Sequence, residues 1–264
     1  MAKPPPMNPQ DGPPGARPIL TAQLQMAQHV VKDTATYRSV GVIHGPAGLG
    51  KTFAMRVATK RLDIEGSRKA VPVCRISFPS GPTMRLVAEL LLHALTGDAP
   101  ITSTNRFWIT AELVRELTRL PRLVVVDEAQ RLSGDCIELL RYLHDHDDTS
   151  FGLLYVGGDG CWEVLSREPM LRSRVWRRLT FTPLARNEVP KILRGYHPLY
   201  AEVEDDLLQY VDDRFARGIW RNWALFSATA ELLARRASRS RLDEELVANV
   251  FALHGGGIDG PAEP

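Results

Sequence analysis

The sequence predicts an α/β fold: a parallel sheet between two layers of helices, with a small helical lid at its carboxyl end. Three observations carry that expectation. Short apolar runs alternate with segments of helical spacing; one run, Val40 to Ile43, feeds straight into a glycine-rich loop; and beyond Pro183 only helical segments remain. A run such as Leu123-Val124-Val125-Val126, apolar at every position, is what a strand buried on both faces of a parallel sheet requires.

Residues 1–18 are loaded with Pro and Gly and hold too few apolar side chains to repay the entropy of ordering, so they are expected to form a disordered arm. Residues 19–183 are assigned to the α/β domain. An amphipathic helix from Ile19 to Ala35 leads into a first strand at Val40–Ile43, and Thr52 to Leu62 is the helix after the glycine loop. A second strand is expected at Val71–Ser77, where Pro72 suits a strand start or an edge. Helices then run from Met84 to Leu95, stopped by Gly97, and from Phe107 to Leu120, stopped by Pro121. The third strand is Leu123–Val126, a helix covers Cys136 to Leu143, and strands follow at Gly152–Val156 and Leu179–Phe181, the last after a short helix around Met170. Residues 184–254 form the lid, with helices near Val189–Arg194, Asp205–Val211, Trp223–Ala237 and Glu244–Leu253; residues 255–264 form a flexible tail.

Of 264 residues, 44% are apolar and 24% charged, and no apolar run approaches the roughly 18 residues a membrane span needs, which excludes an inserted helix. The opening is not read as a signal peptide. Cys74, Cys136 and Cys161 are scattered and odd in number, so a cytoplasmic, reducing location is expected rather than a disulfide or zinc framework. Net charge is only +2, but the stretch from Arg167 to Arg241 carries more Arg than Asp and Glu, which suits a polyanion on one face.

The chemistry is concentrated in two segments. Gly45-Pro46-Ala47-Gly48-Leu49-Gly50-Lys51-Thr52 matches G-x-x-x-x-G-K-[ST] between a strand and a helix start. Its glycines let successive backbone N–H groups point at a β-phosphate, helped by the positive end of the following helix. In that frame Lys51 reaches the β- and γ-phosphates of ATP and the Thr52 hydroxyl ligates Mg²⁺. The second segment is Asp127-Glu128 at the tip of the Leu123–Val126 strand: Asp127 is expected to hold Mg²⁺ through water, and Glu128 to polarise the attacking water. By contrast, His144-Asp145-His146-Asp147-Asp148 reads as a solvated helix end, since adjacent ligands there point in different directions, and His44 reads as a packed strand-end histidine.

Together GPAGLGKT, LVVVDEAQRL and a strand ending in Val156-Gly157-Gly158-Asp159 resemble an AAA+ P-loop ATPase. The DEAQ-type acidic strand and the short lid are similar to the transposition regulators MuB, TnsC and TniB and to the secretion ATPase ExeA, over about Thr21 to Leu253. The resemblance implies ATP hydrolysis at subunit interfaces of a ring or filament, double-stranded DNA as a partner, and recruitment or activation of a transposase. Its alternative is an ExeA-like or signalling ATPase that works on a protein without binding DNA, and a third reading is nucleotide binding without turnover. The resemblance also places an arginine finger at Arg174, with Arg172 and Arg177 competing, a second nucleotide sensor at Arg221, and DNA contacts at Arg85 and Arg106. The polar residue usual at the end of the fourth strand is replaced by Gly158, with Asp159 or a water as the substitute.

Overall fold

A computed structural model describes residues 13–62, 71–78, 81–97 and 105–255, without the side chains of Arg61 and Arg106. Residues 1–12 of the proline-rich arm and the tail after residue 255 lie outside the described residues. Chain contacts divide the protein into two compact units: an α/β unit, Ala22–Ala47 and Lys51–Phe181, and a helical unit that comprises the described residues up to Thr21, Gly48–Gly50, and the chain from Thr182 onward.

The α/β unit runs α1 (Ala22–Tyr37), β1 (Val40–His44), α2 (Lys51–Leu62), β2 (Val73–Ile76), α3 (Met84–Thr96), α4 (Arg106–Thr118) and β3 (Arg122–Val126). It continues through a 3-10 turn (Ala129–Arg131), α5 (Gly134–Asp145), β4 (Phe151–Val156), α6 (Cys161–Ser166), α7 (Pro169–Arg172) and β5 (Val175–Thr180). All strand pairs are parallel, in the order β2-β3-β4-β1-β5, so the expected parallel sheet is present and β2, which follows Pro72, is an edge strand. Every residue of β3 and β4 is buried.

The two faces of the sheet are built differently. Val40, Val42, Val124, Val126, Leu153 and Tyr155 lie at alternate positions and join Val87, Leu91, Leu113, Ile137 and Leu140 from α3, α4 and α5 in one apolar core. Between them stand Gly41 and Gly152, and here α1 comes in close: a Cβ on Gly152 would lie 2.3 Å from the Thr34 carbonyl oxygen, and one on Gly41 would lie 2.4 Å from Thr34 Oγ1. Glycine is thus required at 152 because backbone occupies the space a side chain would need. Helix starts on the opposite face are capped by side chains: Thr83 accepts from the Leu86 N–H and Ser133 from the Cys136 N–H, each worth about 1 kcal/mol.

Strand β5 begins at Val175 and not at Leu179 as expected. Its sequence Val-Trp-Arg-Arg-Leu-Thr carries exposed polar residues, so it lacks the apolar signal of an interior strand; as a charged edge it discourages pairing with other strands.

The helical unit comprises α8 (Val189–Tyr196), α9 (Asp205–Val211) running into a π turn (Asp212–Ala216), α10 (Trp220–Arg236) and α11 (Glu244–Leu253) around a core that includes Tyr200, Phe215, Trp223 and Phe226. Asp212 is buried and accepts from the Gly218 N–H at 2.8 Å and from Trp223 Nε1 at 2.9 Å. Burial pushes its carboxyl above the ordinary range, against those two hydrogen bonds, which favour the ionised form. Residues 13–18 depart from the expected disorder. The Arg17 N–H donates to the Tyr196 carbonyl at 2.8 Å, the Pro14 carbonyl lies 2.8 Å from His197 Nε2, and Ala16 packs on the helical core, so backbone partners supply what apolar content does not. Among the described residues no helix is long and apolar enough to cross a membrane.

Replacing Gly152 with Val should destabilise the protein by about 3 kcal/mol or leave it unfolded, because the obstacle is a carbonyl that no rotamer change can move. Urea unfolding measures this, and a midpoint equal to the wild-type value would contradict the packing of α1 on the sheet.

Candidate nucleotide site

In a parallel sheet all carboxyl ends lie on one edge, and ligands bind outside that edge where the strand order reverses. Here β1 ends at His44 and β3 at Val126, with β4 hydrogen-bonded between them. The glycine loop therefore leaves the sheet one strand away from Asp127 and Glu128. Near this edge α6 begins at Cys161, whose buried thiol is pushed up to about 12, chiefly by burial and then by Glu163.

The loop's shape depends on its glycines. Gly45, Gly48 and Gly50 have φ of 133°, 82° and 88°, a region that side chains disfavour. At Gly45 a Cβ would also lie 2.4 Å from the Phe181 carbonyl. This concave backbone, with a helix starting at Lys51, fits a nucleotide's phosphates. The Lys51 ammonium donates to the carbonyls of Gly45 and Pro46, both at 2.7 Å, folding back over the loop. Within the helical unit the Arg221 N–H donates to the Gly48 carbonyl at 2.9 Å, and a Cβ on Gly48 would lie 3.1 Å from Arg221 Cβ and 3.8 Å from its Nε. Gly218, at φ 71°, makes the turn that sets Arg221 there.

At the acidic end, Asp127 Oδ1 accepts from the Glu128 N–H at 2.9 Å, while Oδ2 pairs with the Arg75 guanidinium from β2. Glu128 has left-handed backbone, φ 59° and ψ 36°, which costs a non-glycine residue roughly 1–3 kcal/mol. Its Oε2 accepts from Gln130 Nε2 at 2.6 Å and lies 3.4 Å from Arg131 Nε. Gln130 Oε1 in turn accepts from the Gly158 N–H at 2.8 Å. Asp159, the expected substitute for a polar residue after β4, is exposed, and the side chain that meets this loop is that of Gln130.

The three finger candidates differ. Arg174 donates through Nε to Asp145 Oδ1 at 2.8 Å and through its guanidinium to the Met170 carbonyl at 2.7 Å. Burial alone would raise the Asp145 carboxyl, but the hydrogen bonds and charges of Arg174 and Arg141 hold it below its ordinary value. Arg172 is exposed, and Arg177 lies within β5, stacked on Trp176 and 3.0 Å from Asp33 Oδ2. Arg85, in the first turn of α3, pairs with Glu89 at 2.7 Å; Arg106 opens α4, and its side chain lies outside the described residues. His144 Nε2 meets the Arg38 carbonyl at 3.0 Å, so it is committed to packing.

Sequence reasoning missed Arg75, Gln130 and Cys161. Arg75 had a signal, being the lone charge in an apolar strand, Val-Cys-Arg-Ile. Gln130 lay inside the quoted acidic motif, but its partner Gly158 is 28 residues away.

A glycine loop after β1, an acidic pair after β3 and the order β2-β3-β4-β1-β5 define a P-loop nucleotide-binding protein of the AAA+ fold. The family model described as "AAA domain" matches residues 34–165, half of the chain, and the chain belongs to that family. It is 24% identical over 176 residues to a "Potential ATP-binding protein" of Staphylococcus aureus, a match covering 60% of this chain and 64% of the relative, less than two thirds of that protein's length. Among solved structures it is similar to the Aeropyrum pernix ORC2 protein in ADPNP-ADP complexes (TM-score 0.67, 18% identity, 91% of this chain and 69% of the other). It is also similar to the Aeropyrum pernix ORC1 protein in complex with DNA (TM-score 0.63, 22% identity, 92% and 67%). At these identities the likeness shows the fold alone.

His44 supplies a titration test. Burial lowers its pKa, Arg178 and Lys51 lower it further, and Glu163 acts the other way. The folded state then binds fewer protons than the unfolded chain just below the ordinary histidine value of about 6.5, so stability should rise with pH through that window. NMR should find His44 titrating below 6.5, and His44→Gln should flatten that slope. A titration at or above 6.5 would contradict the environment described.

Proposed function

We propose that this chain binds and hydrolyses ATP with Mg²⁺ and uses the cycle as a switch on double-stranded DNA, in the manner of the transposition regulators it resembles. One observation carries the reading: Lys51 and the glycine loop follow β1, and Asp127 and Glu128 follow β3, at the same edge of a parallel sheet with only β4 between those strands.

In this reading the loop N–H groups and Lys51 hold the phosphates, and Thr52 and Asp127 hold Mg²⁺, which neutralises charge developing on the phosphates. Lys51 exchanges the carbonyls of Gly45 and Pro46 for phosphate oxygens, and Asp127 gives up its ion pair with Arg75. Glu128 orients the attacking water, and Arg221, beside Gly48, senses the nucleotide. Arg174 serves a neighbouring copy in a ring or filament. Leaving Asp145 is inexpensive, since a partly exposed ion pair is worth about 0–1 kcal/mol.

The DNA partner is supported by the resemblance and by the fold shared with a protein solved in complex with DNA. The expected contacts are Arg85 and Arg106, mainly to phosphates, in a complex that presents the duplex to a transposase. The alternative, a protein partner, is favoured by the groove lined by Met84, Phe107, Val114, Leu139 and Tyr142, where the start of α4 exposes Phe107 and α5 exposes Tyr142.

Phosphate release should be measurable with ATP and Mg²⁺; Lys51→Ala should abolish nucleotide binding, and Glu128→Gln should retain binding while turnover falls about 100-fold or more. Equal turnover in Glu128→Gln and wild type would remove the assigned role of Glu128. Binding to random duplex DNA should require ATP and weaken steeply with salt. No binding at any salt, with ATP, ADP or neither, would reject the DNA partner and leave the protein-directed reading.

A further inference from the structure

The first two residues after β4 are glycines and the next, Asp159, is exposed, and the structure shows what fills the space at Gly157 and Gly158. A Cβ on Gly157 would lie 2.4 Å from Cys161 Sγ, 2.6 Å from Cys161 Cβ and 2.8 Å from Gln130 Oε1. A Cβ on Gly158 would have Gln130 as its neighbour, 3.4 Å from Nε2 and 3.6 Å from Cδ. The two glycines therefore leave room for the Gln130 amide, which arrives from the turn after β3.

We propose that Gln130 is a positioning residue that ties the Glu128 carboxylate to the end of β4 and so supplies the polar contact that Gly157 and Gly158 cannot. The inference rests on the ATPase reading above and extends it to the alignment of Glu128. The chemistry of the two ends fixes the amide's orientation. The Gly158 N–H can only donate and therefore faces Oε1 at 2.8 Å; an ionised carboxylate can only accept and therefore faces Nε2 at 2.6 Å. An amide meets both demands at once. Glutamate in its place keeps the acceptor, loses the donor and sets a second carboxylate against Glu128; alanine loses both. Because β3 and β4 are neighbours in the sheet, the link joins two adjacent strand tips. A shift of the Gly158 backbone would then be felt at the carboxylate that orients water.

The test uses the full chain with ATP, Mg²⁺ and duplex DNA, and amide exchange at Gly158 without nucleotide. In Gln130→Ala, kcat should fall about tenfold or more, as when an orienting partner is removed, with ATP affinity within twofold of wild type and faster exchange at Gly158. In Gln130→Glu, which keeps the side-chain shape, Gly158 should stay protected while kcat falls at least as far. A Gln130→Glu variant as active as wild type would reduce Gln130 to packing and overturn the proposal. So would unchanged Gly158 exchange in Gln130→Ala, or a kcat loss matched by lost ATP affinity. Absence of turnover in the wild-type chain overturns this proposal and the ATPase reading together; turnover with unaffected Gln130 variants overturns this proposal alone.

Discussion

The hydrogen-bonded ladder joining β3, β4 and β1 is the constraint on which the rest of the structure depends. Because the three strands are parallel and adjacent, their carboxyl ends emerge side by side, and whatever follows each strand is brought to one edge. The glycine loop, the Asp127-Glu128 pair and the Gly157-Gly158 loop are those continuations. Each is a short, locally determined segment, and none has a site without the other two. Burial of every residue in β3 and β4 makes the ladder hard to slip, since a one-residue shift would move apolar side chains from the core of α3, α4 and α5 to the face of α1. Gly152 brings that second face within backbone distance of α1, and Gly41 makes room for the Thr34 side chain.

Charges at this edge are satisfied within the protein. Lys51 donates to its own loop, Asp127 is held by Arg75, and Glu128 is held by Gln130 and Arg131. The differences between them are informative. Lys51 meets backbone carbonyls and Asp127 meets a guanidinium, whereas the Gln130 amide ties Glu128 to the Gly158 N–H. The left-handed backbone at Glu128 turns the chain immediately after Asp127.

The arginines divide by setting. Arg177 and Arg178 belong to an edge strand and stack on Trp176 and Trp162, which ties them to the α/β unit. Arg174, one residue before that strand, is held by an ion pair that is weak by virtue of its exposure. Arg221 is placed by backbone, through its own N–H and the Gly218 turn, which Asp212 anchors from inside the helical unit. A buried carboxylate thus braces the turn that carries a candidate nucleotide contact.

The sequence alone determined the elements whose signals are local: the glycine loop between strand and helix, the acidic pair after an apolar strand, and α9 and α11 to their end residues. These depend on backbone conformation and periodicity within a few residues, which composition expresses directly. Tertiary structure decided the rest. The start of β5 was hidden because its exposed face is polar and it has strand geometry only by pairing with β1. Residues 13–18 are ordered by partners about 180 positions away. The pairing of Arg75 with Asp127 and of Gln130 with Gly158 spans 52 and 28 residues, distances over which no sequence period operates. The sheet closes those gaps, since hydrogen bonds between parallel strands bring together residues that the chain itself keeps far apart.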